Sequence, residues 1–339
     1  MRKTITLVAL ALLVSTSGAC GQVLLEHFRY PPGTVVPNWT EVSGDWKVIG
    51  QGLQTYVMCD KNMKNQFLSR DNLPPVNGVV EATVFTTVLP AATKSSGGVF
   101  ARGRISALPG YFIAAVVADT VGRGDFDTFI VGESPGTMVS TKLPKPSKRV
   151  QIRLVFYKGQ AIGRVDIDMD GLFDLSVPVK VQQTATPVLG TCGLLGQASV
   201  AIDNFNFYDA LLLPRNRCQI GRNYQMHLWA TPLKPVPVAE PYVCGCAFFA
   251  SPKVQLLQSY RFIPIFPGPL TLLSLGGYGI FMDFSGFLNN QSEATPHIRV
   301  PDEPSIVGLG FFTTGLTLDA RLPDGIANIA QNLHTTILK

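Results

Sequence analysis

The chain has 339 residues with 28 basic and 23 acidic side chains, and only 15% of it is charged against 46% hydrophobic. So small a positive excess, spread without a cluster of Lys and Arg among aromatics, excludes a nucleic-acid footprint. Low charge beside 32 Gly and 25 Pro excludes a disordered chain and fits many short strands joined by tight turns.

Arg2 and Lys3 open the chain, an uninterrupted apolar run follows from Ile5 to Val14, and Ser15-Thr16-Ser17-Gly18-Ala19-Cys20-Gly21 closes the segment with small residues. Basic, apolar and small stretches in that order are the pattern of a secretion signal, and the run is too short for a permanent membrane anchor. Residues 1–21 are therefore expected to be removed, leaving a secreted or cell-surface protein of bacterial type. Cleavage suits either Cys20 or Gln22 as the first mature residue. Gly18-Ala19-Cys20 also resembles a lipobox, which would put a lipid anchor on Cys20, although Ser17 stands where such motifs carry Leu.

Residues 22–213 read as successive strands. Gly78 to Val88, Gly98 to Arg104, Tyr111 to Ala118, Thr128 to Gly132, Val150 to Tyr157 and Ala161 to Asp168 alternate in polarity, with Gly, Pro and Asp-Gly turns between them. Capped helical periodicity is nearly absent. The pattern predicts an all-β chain whose N-terminal domain is an antiparallel sandwich around one core.

The same alternation supplies a candidate binding face. Val80, Ala82 and Val84 share one side of their strand, with Glu81 on the other; Arg102 and Arg104 share a side; Arg153 and Tyr157 oppose Ile152, Leu154 and Phe156. If those strands are neighbours, Glu81, Arg102, Arg104, Arg153 and Tyr157 would stud one polar sheet face, where planar donors and rings match sugar hydroxyls and C–H faces. The alternative is a solvated face holding mutual ion pairs. Trp39, in a turn-rich segment beside Pro37, is a candidate stacking platform; Trp46 reads as core.

Asp166-Ile167-Asp168-Met169-Asp170-Gly171 copies the start of an EF-hand loop, but Val177 occupies the position that needs a bidentate acid. A strand ending in an Asp-Gly turn is the plainer reading, and a one-off calcium loop of Asp168, Asp170 and Asp174 is the alternative. Of the cysteines, Cys244-Gly245-Cys246 is too close for a relaxed bridge between its own ends. One of the two, taken here as Cys244, is expected to reach Cys218 in a disulfide. The four histidines are scattered, which disfavours zinc.

Phe28, Gly33-Thr34, Asn38-Trp39, Gly44-Asp45-Trp46-Lys47-Val48 and Gly52-Leu53 resemble the opening of concanavalin A-like, laminin-G-like jelly rolls. Gly193-Leu194-Leu195 and Ala201-Ile202-Asp203-Asn204-Phe205-Asn206-Phe207 are similar to that family's last two strands. The family holds non-catalytic sugar-binding modules and the 3-keto-disaccharide hydrolase type. Ser96-Gly97-Gly98-Val99-Phe100-Ala101-Arg102 is similar to the hydrolase segment Asn-Ser-Gly-Val-Phe-Phe-Arg, without the Asn and with an extra Gly. The resemblance thus implies a jelly roll that binds sugar more than one that cleaves it.

Residues 214–339 are expected to form a smaller β-sandwich. Phe262 to Leu288 is apolar, but Pro264, Pro267, Pro269, Gly276-Gly277 and Asp283 suit strands and turns rather than a transmembrane span. Tyr260 through Ile263, Ile298-Arg299-Val300-Pro301, Val307-Gly308 and Phe311 through Ala320 resemble a small module found at the C-termini of secreted proteins of planctomycete-like bacteria. That likeness implies an accessory or attachment unit.

There is no Gly-x-Ser-x-Gly, and Glu81 lacks a partner carboxylate on its face, so no catalytic residue is assigned. The sequence favours an exported, non-catalytic protein that binds carbohydrate or a cell-surface glycan and requires no cofactor beyond the calcium alternative. A structural or attachment protein of the cell surface and a hydrolase of the keto-disaccharide type are the other readings.

Overall fold

The computed structural model describes residues 24–26, 28–36, 39–43, 45–51, 54–59, 66–70, 78–87, 94–103, 111–157, 159–170, 172–181, 191–197, 200–230, 240–250, 254–256, 262–322 and 324–339. The secretion signal and Cys20 lie outside them.

The first unit is built from β1 (Leu24–Glu26), β2 (Trp39–Ser43), β3 (Trp46–Gln51), β4 (Gln54–Cys59), β5 (Gln66–Arg70), β6 (Gly78–Thr86), β7 (Ser95–Gly103) and β8 (Phe112–Asp119). It continues with β9 (Phe126–Ser134), β10 (Met138–Ser147), β11 (Arg149–Tyr157), β12 (Gln160–Asp166), β13 (Leu175–Lys180), β14 (Thr191–Gln197) and β15 (Val200–Tyr208). A back sheet runs β13-β12-β11-β6-β15-β4-β3, with β1 beside β15, and a front sheet runs β10-β9-β8-β7-β14-β5-β2. Every pairing in both sheets is antiparallel, as the alternating sequence predicts.

Alternation decides which side chains meet between the sheets. Val80, Ala82 and Val84 of β6 and Ile152, Leu154 and Phe156 of β11 face Val99 and Ala101 of β7 and Ile113, Ala115 and Val117 of β8. Each fully buried Val, Leu, Ile or Phe contributes about 1.5–3 kcal/mol. Glycine sets how closely the sheets approach: a Cβ on Gly97 would lie 2.3 Å from Val200 Cγ1, and one on Gly163 would lie 2.2 Å from Val131 Cγ2. Trp46 belongs to this core. So does Trp39, edge-on to Phe205 with ring centroids 4.9 Å apart.

After Asp209 the chain leaves the first sandwich. β16 (Ala210–Pro214) pairs with β17 (Asn223–Ala230), so the second unit's pairing starts at Ala210, a few residues before the boundary expected from sequence. One of its sheets runs β16-β17-(His297–Arg299)-(Phe281–Met282), with Glu293–Ala294 also on β17. The other runs (Ser285–Phe287)-β18-(Gly310–Leu318)-(Ile326–Ile329), where β18 is Pro241–Ala247 and Leu333–Thr336 adds to Gly310–Leu318. Among the described residues the one α-helix, α1 (Pro269–Leu275), lies in the apolar stretch weighed above as a span. No described helix is long and apolar enough to cross a membrane.

The expected Cys218–Cys244 disulfide is not formed: Cys192, Cys218, Cys244 and Cys246 are all free thiols, and all are buried. Cys244 packs as a small apolar group where Gly315 leaves room for it, and Cys246 Sγ lies 3.3 Å from Thr313 Oγ1. Burial pushes the Cys218 thiol up to about 11 and the Cys246 thiol up to about 12. These thiols stay protonated and unreactive.

Candidate functional site

The polar face expected from sequence exists on the back sheet, opposite the core, and extends further than predicted. Antiparallel register sets Ser176 beside Arg164, Arg164 beside Arg153, Arg153 beside Glu81 and Glu81 beside Asn206, a polar row crossing five strands from β13 to β15. Arg153 Nε donates to Glu81 Oε2 at 2.7 Å, and Asn206 Nδ2 donates to Glu81 Oε1 at 3.0 Å.

Around Glu81 and Arg153 this row is not a groove open to a sugar, because the second sandwich covers it, while Ser176 at the β13 end is exposed. Arg153 Nη1 donates to the Asn332 carbonyl at 3.2 Å and Nη2 to Asn332 Oδ1 at 2.9 Å. Arg153 and Glu81 side chains retain 6% and 2% of their exposure. Four residues along β11 from Arg153, the Tyr157 hydroxyl donates to Glu293 Oε1 at 2.8 Å and lies 3.2 Å from His227 Nε2, while Arg215 Nη2 sits 3.1 Å from His227 Nδ1. Val79, Val155 and Tyr208 of the first unit pack with Trp229, Ile326 and Ile329 of the second around these polar contacts. Glu81, Arg153 and Tyr157 therefore hold two domains together, and the expectation that they face solvent is corrected.

The remaining members of the predicted site are scattered. Arg102 lies on the front sheet, in a bulge between β7 and β14, at a φ of 54°. That backbone turns its guanidinium over the Phe156 ring, 5.7 Å from the centroid, on the opposite side of the back sheet from Arg153. Arg104 lies outside the described residues. Trp39 cannot stack on a sugar from within the core.

The acidic loop is drawn together with a changed membership. Oxygens of Asp166, Asp168 and Asp174 lie within 4.8 Å of one another, whereas Asp170 turns to accept from the Leu172 amide at 2.7 Å. Asp174 also accepts from Ile167 N, and Asp166 from Met169 N, both at 2.7 Å, so these carboxylates cap the β12–β13 turn as well.

With the back face covered around Glu81 and Arg153, the open face of the first sandwich is the outer side of the front sheet. A groove of about 470 Å³ runs along it. Its floor is the set of side chains alternate to the core: Ala114 and Val116 of β8, Ile130 of β9 and Leu195 of β14, with Phe112 at one end. Small residues hollow it, since Ala114 and Ala118 add little bulk, and Gly98 could not carry a Cβ without meeting the Ala115 carbonyl at 2.1 Å.

One end of the groove is polar, with Lys94 and Asp119 as its charged members. Ser96 Oγ donates to Gln197 Oε1 at 3.3 Å, leaving the Gln197 amide nitrogen to donate into the groove. Ser95 Oγ, on the core side of β7 with Gly97 and Val99, is buried without a hydrogen-bond partner and does not face the groove. Asp119 is occupied instead in the loop that follows it, accepting from Gly122 N and Gly124 N, both at 2.6 Å. Hydroxyl and amide groups above a shallow apolar floor can bind a neutral polyhydroxylated ligand by hydrogen bonds and C–H contact. Sequence reading passed over Gln197 and Ala114 because neither is charged or aromatic. Their signal was the pair Gly97-Gly98 and the small outward residues of β8.

No family model matches the chain, and no curated protein matches it. Solved structures similar to it include a functionally unknown protein from Saccharomyces cerevisiae, with 12% identity over 49% of this chain and 95% of that one and a TM-score of 0.35. The Ca2+-bound exoplasmic/lumenal domain of VIP36 is 9% identical over 55% of this chain and 88% of that one, with a TM-score of 0.35. A scytalido-glutamic peptidase bound to a transition-state analogue is 9% identical over 46% and 76%, with a TM-score of 0.25. At these values the likenesses assign no function to this chain.

Proposed function

We propose that this is an exported, non-catalytic carbohydrate-binding protein that seats a neutral glycan in the front-sheet groove. One observation carries the reading: on the outer side of the front sheet, the groove sets the Ser96 hydroxyl and the Gln197 amide beside an apolar floor. Export rests on the basic, apolar and small order of residues 1–21. Calcium is assigned to Asp166, Asp168 and Asp174, apart from the groove. A glycan array on the mature protein tests the reading. Saturable binding to neutral glycans supports it, and binding to none contradicts it.

A second reading, attachment to an apolar surface, is favoured by α1. The helix turns Thr271 and Ser274 inward, with Ser274 Oγ accepting from Cys246 N at 2.9 Å, and leaves Leu272, Leu273 and Leu275 outward. Leu272 is 73% exposed, and Phe249 and Tyr278 close by are 64% and 63% exposed. An apolar helix face turned to solvent marks an interaction surface. Co-sedimentation with phosphatidylglycerol-containing vesicles, lost in Leu272→Ser, would support this reading; protein remaining in the supernatant would count against it.

A further inference from the structure

The polar row under the second domain contains one cation more than its hydrogen bonds satisfy. Arg153 is held by Glu81 and Asn332, but its cross-strand neighbour Arg164 makes no hydrogen bond or ion pair among the described residues, and its Nε is buried. Arg164 and Arg153 stack against one ring, with guanidinium carbons 5.9 and 4.6 Å from the Phe173 centroid. Burial, and then the charge of Arg153, pull the Arg164 pKa down to about 10. The guanidinium therefore remains charged at neutral pH, in a place that disfavours charge.

A cavity of about 230 Å³ opens beside these arginines, lined by Arg153, Arg164, Phe173, Ser176, Asn332 and His334. A water in the liquid takes about 30 Å³, so the space admits a small polyatomic ion. Three donors have no acceptor among the described residues: the Arg164 guanidinium, Ser176 Oγ beside it on β13, and Asn332 Nδ2, whose amide oxygen is taken by Arg153. Two carboxylates stand near. Glu81 is spent on Arg153, and Asp170, whose charge acts on His334, accepts from the Leu172 amide. Asn332 and His334 come from the second domain, so the cavity is complete only when the two sandwiches are docked.

We propose that this cavity is a binding site for a small oxyanion (carboxylate, sulfate or phosphate), held by Arg164, Ser176 and Asn332 and bridging the two domains. A forked guanidinium with neutral donors around it suits a planar or tetrahedral oxyanion, and the anion neutralises a charge that the protein leaves unpaired. The site is independent of the front-sheet groove, which lies on the other sheet. The anion can be free in solution or be the charged substituent of an acidic sugar.

The test is a thermal-shift and calorimetric titration of the mature protein with sodium sulfate, inorganic phosphate and glucose 6-sulfate, each against sodium chloride of equal ionic strength. The expected result is a saturable rise in melting temperature and measurable binding for at least one oxyanion. Inorganic ion alone identifies a free anion as the ligand, and the sugar sulfate alone identifies a substituent. Arg164→Gln should weaken binding on the order of tenfold or more, the loss of a charge-assisted hydrogen bond. Ser176→Asp, which supplies a tethered carboxylate beside Arg164, should raise the melting temperature without added anion and abolish the response to it. This second variant decides the matter if Arg164→Gln fails to fold. A response that does not saturate, or that is equal in wild type and Ser176→Asp, would be general salt stabilisation and would overturn the proposal.

Discussion

Arg153 on the first sandwich donates to Glu81 at 2.7 Å and to the carbonyl and side-chain oxygen of Asn332 on the second, so one guanidinium neutralises a buried acid and fastens the domains. Glu81 is held in turn by Asn206 and lies 3.5 Å from the Tyr208 hydroxyl. Removing one partner of a buried pair strands the other charge, at a cost of about 3–5 kcal/mol. Arg153→Ala should therefore lower stability by that amount in urea denaturation and open the domain junction to proteolysis. A change within about half a kcal/mol, the usual effect of a surface substitution, would mean that the face is solvent-exposed after all.

Alkali should unfold the protein. Burial pushes the hydroxyls of Tyr111, Tyr224 and Tyr242 up to about 12 from an ordinary 10.0, and the Cys218 and Cys246 thiols up to about 11 and 12 from 9.0. A group whose folded pKa is raised binds its proton more tightly when folded. Its stabilisation is whole below the unfolded value and is lost as pH climbs through the folded one. Melting temperatures should thus fall between about pH 9 and 12. Burial also raises Cys192 and Tyr208 of the first sandwich, so both domains should lose stability in alkali. A flat profile to pH 11 would show that these groups titrate freely.

Cys192, Cys218, Cys244 and Cys246 should be free thiols sealed in the fold. Peptides containing Cys218 and Cys244 should be alkylated after denaturation without reductant, and not before it. Finding the two peptides joined in an unreduced digest would restore the disulfide that the sequence suggested.

The strands, their alternation and the inward set of β6 and β11 were legible because period-two patterning reports directly on which side chain faces which way. Alternation put Glu81 and Arg153 on the sides of their strands away from the core, but that the two strands pair was only a condition of that reading. What covers a face is not written in the strand that owns it. Covering here was hinted at only by Val79 and Val155, apolar residues on the side that carries Glu81 and Arg153. Arg102 was misplaced because alternation fails at a bulge, and its φ of 54° turns the side chain to the wrong face. The groove was hidden for another reason: it is made by small side chains, and an absence of bulk leaves no chemical signature.

Calcium, if bound at Asp166, Asp168 and Asp174, should raise the melting temperature of the wild type and leave Asp174→Asn unmoved. Asp170→Asn should behave as wild type, since that carboxylate points to the Leu172 amide. Equal melting with calcium and with chelator would leave the three acids as caps of the β12–β13 turn.

The central claim is tested most directly by titrating a neutral glycan identified on the array into the wild-type protein and into Ala118→Trp. Ala118 lines the groove on the outer side of β8, beside Ser96 on β7, away from both the core and the domain junction. An indole there fills the groove while leaving the core unchanged. The account predicts an unaltered melting temperature and at least an order-of-magnitude loss of affinity, more than about 1.4 kcal/mol. Full-strength binding by Ala118→Trp would contradict it and place the glycan elsewhere on the molecule.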